Sequence, residues 1–171
     1  IVERIATIRQ AVGPQIDIAI DFHRAVSPAL ARILLQELVP FKPMFVEEPT
    51  HPENVDALLE ITRSTTIPIA TGERNTTRWG FREIVEKKAA AVLQPDIRHC
   101  GGILEMRKIA SLAEIHYLAM APHSAADPVG VAASLQAMAS TPNLLIHEYG
   151  GGNGEGLFKE PLQFRDGYVE L

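Results

Sequence analysis

The sequence predicts an α/β protein: a (β/α) barrel of the TIM type, present as an incomplete barrel of about six βα units. Three observations predict it. Short apolar runs alternate with helical stripes at a period of about 25 residues. The runs are nearly continuously apolar, as strands are when both faces of a parallel sheet are covered. An ionisable residue closes each run: Asp21 after IAI, Glu47 after MFV, Glu73 after IPIATG, Asp96 after AVLQP, His123 after LAMAP and Glu148 after LLIH. The steps between them are 26, 26, 23, 27 and 25 residues. An open doubly wound sheet gathers its ligands at one switch point, whereas a barrel turns the C-terminal end of every strand toward one site. Ionisable groups at all six ends therefore choose the barrel. A closed barrel needs about eight strands, so two are expected outside this sequence.

The elements follow in order. IVERIATIRQ opens without an initiator Met and reads as the middle of an amphipathic helix, so the chain is expected to be a piece of something longer. Residues 16–22 form a β-rich run free of turn residues. Ser27 and Pro28 supply a helix cap and first-turn residue, and Leu30, Ile33, Leu34 and Leu38 follow at helical spacing. Pro40 and Pro43 end that helix before the strand at 44–46. Val55, Leu58, Leu59 and Thr62 mark the next helix, and 67–70 the third strand. A shorter helix spans 79–87, and an Ala-rich strand leads to Asp96. Ile103, Met106, Ile109, Ala110 and Ala113 make another helical stripe. A strand at 117–121, a small-residue helix at 129–139 and a strand at 144–146 complete the pattern.

Composition narrows the function. With 171 residues, 46% of them apolar and 22% charged, the chain is expected to form one partial barrel domain over residues 1–171. A net charge of −5 with no basic block argues against a nucleic-acid partner. No apolar run approaches the roughly 20 residues needed to span a bilayer, and no charged-then-apolar leader opens the chain. The single cysteine, Cys100, cannot form an internal disulfide, which fits a reducing, cytoplasmic location.

The strand-end residues carry chemistry. Asp21, Glu47 and Glu73 offer three hard oxygen donors suited to Mg²⁺; zinc would favour His and Cys. One acid alone would more often be an exposed cap or the partner of Arg24, Arg74 or Arg78. Three at matched positions on successive strands favour a cation, which relieves their mutual repulsion. Asp96 and His123 close successive strands, so their side chains can touch. A carboxylate on one imidazole nitrogen fixes the tautomer and suits the other to general-base work. A buried histidine satisfied by a neighbour is the equal alternative. His23, two residues after Asp21, is expected on the same strand face and could deliver a proton. Glu148 could hydrogen-bond an intermediate or serve as a salt-bridge partner. Cys100 lacks an activating base. The run GGGNGEG at 150–156 lacks the Lys-Ser/Thr of a phosphate loop and suits a flexible active-site loop or a linker. His51, His116 and His147 have no partner assignable from sequence.

DFHRAVSP (21–28), PMFVEEP (43–49), IPIATGER (67–74), RWGF (78–81), QPDIRHCGGI (94–103), APHSAADP (121–128) and the Glu of IHEY (146–149) resemble the barrel domain of the enolase superfamily. The likeness lies with its mandelate racemase/muconate lactonizing enzyme branch, and within that with the galactonate dehydratases. It runs from the third barrel strand to just beyond the eighth, which leaves the first strands and an α+β capping domain outside this chain. The resemblance implies that Asp21, Glu47 and Glu73 bind Mg²⁺, with Glu48 set aside. His123 is implied as base, Asp96 as its partner, His23 as general acid, and Glu148 as stabiliser of the intermediate. The implied substrate is a small sugar acid, an aldonate, which loses its C2 proton and its 3-hydroxyl to give a 2-keto-3-deoxy acid. A homo-oligomer is expected of the full-length protein. A racemase or epimerase on the same scaffold would return the C2 proton without losing water. A non-catalytic metal-binding barrel would melt in a Mg²⁺-dependent way and exchange no substrate proton.

Overall fold

The computed structural model describes residues 1–124, 127–150 and 152–171; Ala125 and Ala126 of the APHSAADP motif and Gly151 of the glycine-rich run lie outside them. Helices and strands alternate as the apolar pattern demands: α1 (Val2–Val12), β1 (Ala19–Asp21), α2 (Pro28–Leu38), β2 (Phe45–Glu47), α3 (Val55–Arg63), β3 (Ile69–Thr71), α4 (Thr77–Lys87) and β4 (Val92–Leu93). They continue with α5 (Ile97–Cys100), α6 (Gly102–Ile115), β5 (Ala119–Met120), α7 (Pro128–Met138), β6 (Gln163–Arg165) and β7 (Tyr168–Glu170). Strand order in the main sheet follows the chain, β1-β2-β3-β4-β5, as consecutive βα units require. The residues form two compact units: 1–71 with 83–92, and 72–82 with 93–171.

In the first unit, β1, β2 and β3 are parallel, with Asp21 opposite Glu47 and Glu47 opposite Ala70. β2 and β3 are almost wholly buried, whereas β1, at the end of the order, reads exposed–buried–exposed. Caps set the helix starts. Ser27 Oγ accepts from Leu30 N at 3.3 Å, and Asn54 Oδ1 accepts from Ala57 N at 3.0 Å. The buried stripe of α2 is Ala31, Leu35 and Leu38; Leu30 and Ile33, expected to share it, remain 44% and 59% exposed. A 3-10 turn, Val39–Phe41, follows α2 where Pro40 denies the helix an N–H donor. Arg9 ties the end of α1 to the loops around β1 and β2 by donating to the carbonyls of Phe41, Gly13, Ile16 and Lys42.

In the second unit, α6 buries Met106, Ile109, Ala110 and Ala113, the expected stripe. The expected strand at 144–146 is reduced to one parallel bridge, Met120 with Leu144. Met120 N donates to Asn143 O at 2.9 Å and Leu145 N to Met120 O at 2.8 Å on either side of it. Residues 97–100 form the single-turn helix α5, capped by the Asp96 side chain, which accepts from Arg98 N. β6 and β7 make an antiparallel hairpin turning at Asp166 (φ 53°) and Gly167 (φ 82°), a conformation that Asp-Gly favours.

Gly72 precedes the candidate ligand Glu73 with φ 138°. A Cβ there would stand 2.7 Å from Phe81 Cε1 and 3.0 Å from Gln94 N. Phe81 is wholly buried, so it has little room to yield. Gly72→Ala is expected to destabilise the protein by about 1–3 kcal/mol, read as a lowered urea midpoint at unchanged slope. An unchanged midpoint would show that the Phe81 contact relaxes freely.

Candidate active site

In the first unit, Asp21 and Glu47 terminate adjacent parallel strands at matched positions. Asp21 is 45% exposed at its side chain, and Glu47 is half-buried. The chain turns sharply after β1, with His23 at φ 48° and Arg24 at φ 59°. That turn brings His23 back onto Asp21: its N–H donates to Oδ1 at 2.6 Å, and Nδ1 lies 3.1 Å from Oδ2. The expected neighbourhood of His23 and Asp21 is therefore present, but the turn creates it and strand alternation does not. β1 has already ended at Asp21.

Glu48, the second acid of the EEP motif, has a different place. It is fully buried, with φ 44°. Arg24 Nη1 donates to its Oε2 at 2.8 Å, and Thr71 Oγ1 to its Oε1 at 2.7 Å. Its backbone is engaged too: Arg24 N donates to Glu48 O, and Glu48 N to Ala70 O. Arg24, Glu48 and Thr71 thus form a buried polar cluster joining the ends of β2 and β3 to the turn after β1. Sequence reasoning left this cluster out. Its one signal was the Arg that follows DFH.

In the second unit, His123 is the hub. Nδ1 lies 2.8 Å from Asp96 Oδ2, while Nε2 lies 3.4 Å from Glu73 Oε2 and 4.0 Å from Glu148 Oε2. Four of the strand-end residues, Glu73, Asp96, His123 and Glu148, are therefore brought together, and Glu73, expected with Asp21 and Glu47, stands beside the imidazole. Asp96 caps α5 and is 1% exposed. Burial alone would push its carboxyl up. The side-chain and backbone donors of Arg98, with His123 Nδ1, outweigh that and hold it well below the usual carboxylate range. An ionised Asp96 can only accept, so Nδ1 of His123 carries a hydrogen; in the neutral ring Nε2 then holds the lone pair. Glu148 is oriented by Ser124, whose N–H donates to Oε2 at 2.7 Å.

The remaining candidates have structural partners. His147 Nδ1 meets Glu148 O at 2.6 Å and Nε2 meets Ser134 Oγ at 2.8 Å; burial is the first cause of its lowered pKa. His99 Nδ1 lies 3.0 Å from the Glu73 carbonyl. His51 lies 3.9 Å from Glu53. Arg78, a candidate partner for the strand-end acids, donates to both oxygens of Glu105 at 2.8 Å. Cys100 is fully buried, and burial pushes its thiol up to about 11, the opposite of an activated nucleophile.

Asp21 and Glu47, paired in register in the first unit, and Glu73 in the second unit each offer the hard carboxylate oxygens that Mg²⁺ takes. Glu48, the other acid of the EE pair, is fully buried on Arg24 and Thr71. Among the described residues, no three of His, Cys, Asp and Glu already form a metal cage, so the fit rests on donor type and strand position.

The alternation of strands and helices and the acidic and imidazole groups at the strand ends define a βα-barrel domain. The chain belongs to the enolase C-terminal domain-like family, which it matches over residues 1–171. It is 40% identical over 151 residues to a D-galactonate dehydratase of Variovorax paradoxus (strain S110), and 38% identical over 151 residues to one of Ralstonia pickettii (strain 12J). Each match covers 88% of this chain and 40% of the relative, so the chain spans less than half of their length. Among solved structures, a mandelate racemase/muconate lactonizing enzyme-like protein from Rubrobacter xylanophilus DSM 9941 superposes with a TM-score of 0.85 at 41% identity, covering 87% of this chain and 38% of that one. No helix among the described residues is long and apolar enough to cross a membrane.

Proposed function

We propose that this chain is part of a Mg²⁺-dependent acid-sugar dehydratase acting on galactonate or a close epimer. The observation that carries the reading is the His123 imidazole, tied to Asp96 through Nδ1 and presenting Nε2 beside Glu73 and Glu148. The likeness to D-galactonate dehydratases supports the substrate class.

Asp21, Glu47 and Glu73 would hold Mg²⁺, which when bound neutralises negative charge on the substrate carboxylate and makes the neighbouring C2 proton more acidic. His123 accepts that proton on Nε2, while its Nδ1 hydrogen stays bonded to Asp96. His23 gives a proton to the 3-hydroxyl, which leaves as water when the C3–O bond breaks. The electron pair of the C2–H bond becomes the C2–C3 double bond, and the resulting enol tautomerises to a 2-keto-3-deoxy acid. Glu148, held by Ser124 N, donates a hydrogen bond to the developing oxyanion when protonated.

The test is a screen of the full-length protein against aldonic acids, scoring 2-keto acid formation with Mg²⁺ and with excess chelator. Metal-dependent turnover of a galactonate-type acid is expected. Exchange of the C2 proton without loss of water would instead make the protein a racemase or epimerase. Mg²⁺-dependent melting with neither exchange nor turnover would leave only a metal-binding barrel.

A further inference from the structure

We infer that Arg98 is a positioning residue for the proposed base: by holding both oxygens of Asp96 it keeps the shared hydrogen on His123 Nδ1 and the lone pair on Nε2. The inference rests on the reading of His123 as base, and it concerns a residue outside the set of strand-end groups.

Arg98 makes three hydrogen bonds to one carboxylate. Its backbone N donates to Asp96 Oδ1 at 2.8 Å, its Nε to the same oxygen at 3.0 Å, and its Nη2 to Oδ2 at 2.6 Å. Oδ2 is also the oxygen that meets His123 Nδ1 at 2.8 Å. The planar guanidinium therefore grips both oxygens in the fork geometry that lysine cannot copy in full.

In the neutral His123 ring, whose Nε2 faces Glu73 Oε2 at 3.4 Å and whose Nδ1 faces Asp96 Oδ2 at 2.8 Å, the charge on Asp96 bears directly on which nitrogen carries the hydrogen. At 1% exposure, water does little to stabilise the anion, and a buried carboxyl without a cation favours its neutral form. A neutral Asp96 would donate its O–H to Nδ1. His123 would then carry its hydrogen on Nε2, where no lone pair is left to receive a proton from substrate. Arg98 prevents this by supplying the compensating charge inside the cluster. The low position of the Asp96 carboxyl, to which Arg98 contributes the foremost stabilising contacts, agrees with the geometry.

The surroundings are shaped for this arginine. At the start of α7, a Cβ on Gly130 would stand 3.3 Å from Arg98 Cδ and 2.8 Å from Asp127 Oδ2. The absent side chain leaves a slot for the arginine stem. Asp127, which caps α7 through Val129 N and Gly130 N, adds a second negative charge that favours the guanidinium.

The experiment is a long-range ¹H–¹⁵N correlation on the full-length protein with labelled histidine, at about pH 8.5 where imidazoles are largely neutral. The His123 signals are assigned by their loss in His123→Asn. Wild type is expected to show the Nδ1–H tautomer, Arg98→Met the Nε2–H tautomer, and Arg98→Lys the wild-type form. In parallel, kcat of Arg98→Met is expected to fall roughly 10–100-fold with KM little changed, and Arg98→Lys to recover most of it. A folded Arg98→Met that keeps the Nδ1–H tautomer overturns the inference, as does a wild type already in the Nε2–H form. Should Arg98→Met not fold, Arg98→Gln, which keeps a donor without the charge, is read in the same way. The tautomer does not depend on turnover: a wild type inactive on every aldonate but with the expected tautomer pattern defeats the dehydratase reading and leaves Arg98 in its role.

Discussion

His123→Asn is expected to abolish exchange of the substrate C2 proton with solvent and to lower kcat/KM by roughly 10²–10⁴-fold, the range a positioned general base supplies. Asparagine is the informative replacement because its amide can still donate to Asp96 from about the position of Nδ1. Asp96 then keeps a partner alongside Arg98, and the variant removes only the group at Nε2. Circular dichroism and melting temperature should stay close to wild type, which separates lost chemistry from lost fold. The measurement is deuterium incorporation at C2 of the aldonate in D₂O, followed by proton NMR with the full-length protein. Persistent exchange in His123→Asn would take the base role away from His123. His23→Asn provides the contrast. It should still exchange the C2 proton while failing to release water, because it removes the donor to the 3-hydroxyl and leaves Nε2 of His123 untouched. Equal loss of exchange in both variants would mean that the two histidines do not divide the work.

Which parts of this were legible in the sequence follows from what each residue depends on. Asp96, His123 and Glu148 were readable because each closes an apolar run, and the end of a parallel strand is a position that hydrophobic patterning can locate. Asp21 opposite Glu47 follows from the same logic, since parallel neighbours in register end together. His23 was paired with the right partner for the wrong reason: two consecutive residues at positive φ fold it back, and non-glycine residues give little warning of that conformation. Arg98 and Gly130 were out of reach because a fork on a carboxylate and a slot beside it depend on where α5 and α7 lie. The β6–β7 hairpin was within reach. Asp166–Gly167 between QFR and YVE carries the turn signal, and it went unread beside the stronger barrel pattern.

The two glutamates of the EEP motif are expected to fail in opposite ways. Glu48→Gln should cost about 3–5 kcal/mol of stability, the range for breaking a buried ion pair by removing one partner. The side chains of Glu48 and Arg24 are only 1% and 9% exposed, so the guanidinium would face a neutral amide with little water to replace the lost charge. The Thr71 hydroxyl would still find an oxygen in the amide, which leaves the ionic contact as the main loss. Glu47→Gln removes a carboxylate that is half-buried at the end of β2, opposite Asp21. Its main effect should be loss of the Mg²⁺-dependent rise in melting temperature. Urea denaturation of both variants with chelator, then with Mg²⁺, separates the cases. β2 ends at Glu47, and the left-handed turn at Glu48 (φ 44°) carries the second acid away from the line of the strand, so the two adjacent acids need not share a side. The pairing of Glu48 with Arg24 and Thr71 assigns the buried place to the second acid. If Glu47→Gln unfolds the protein while Glu48→Gln loses the Mg²⁺ response, that assignment is reversed, and Glu48 must be counted among the ligands instead.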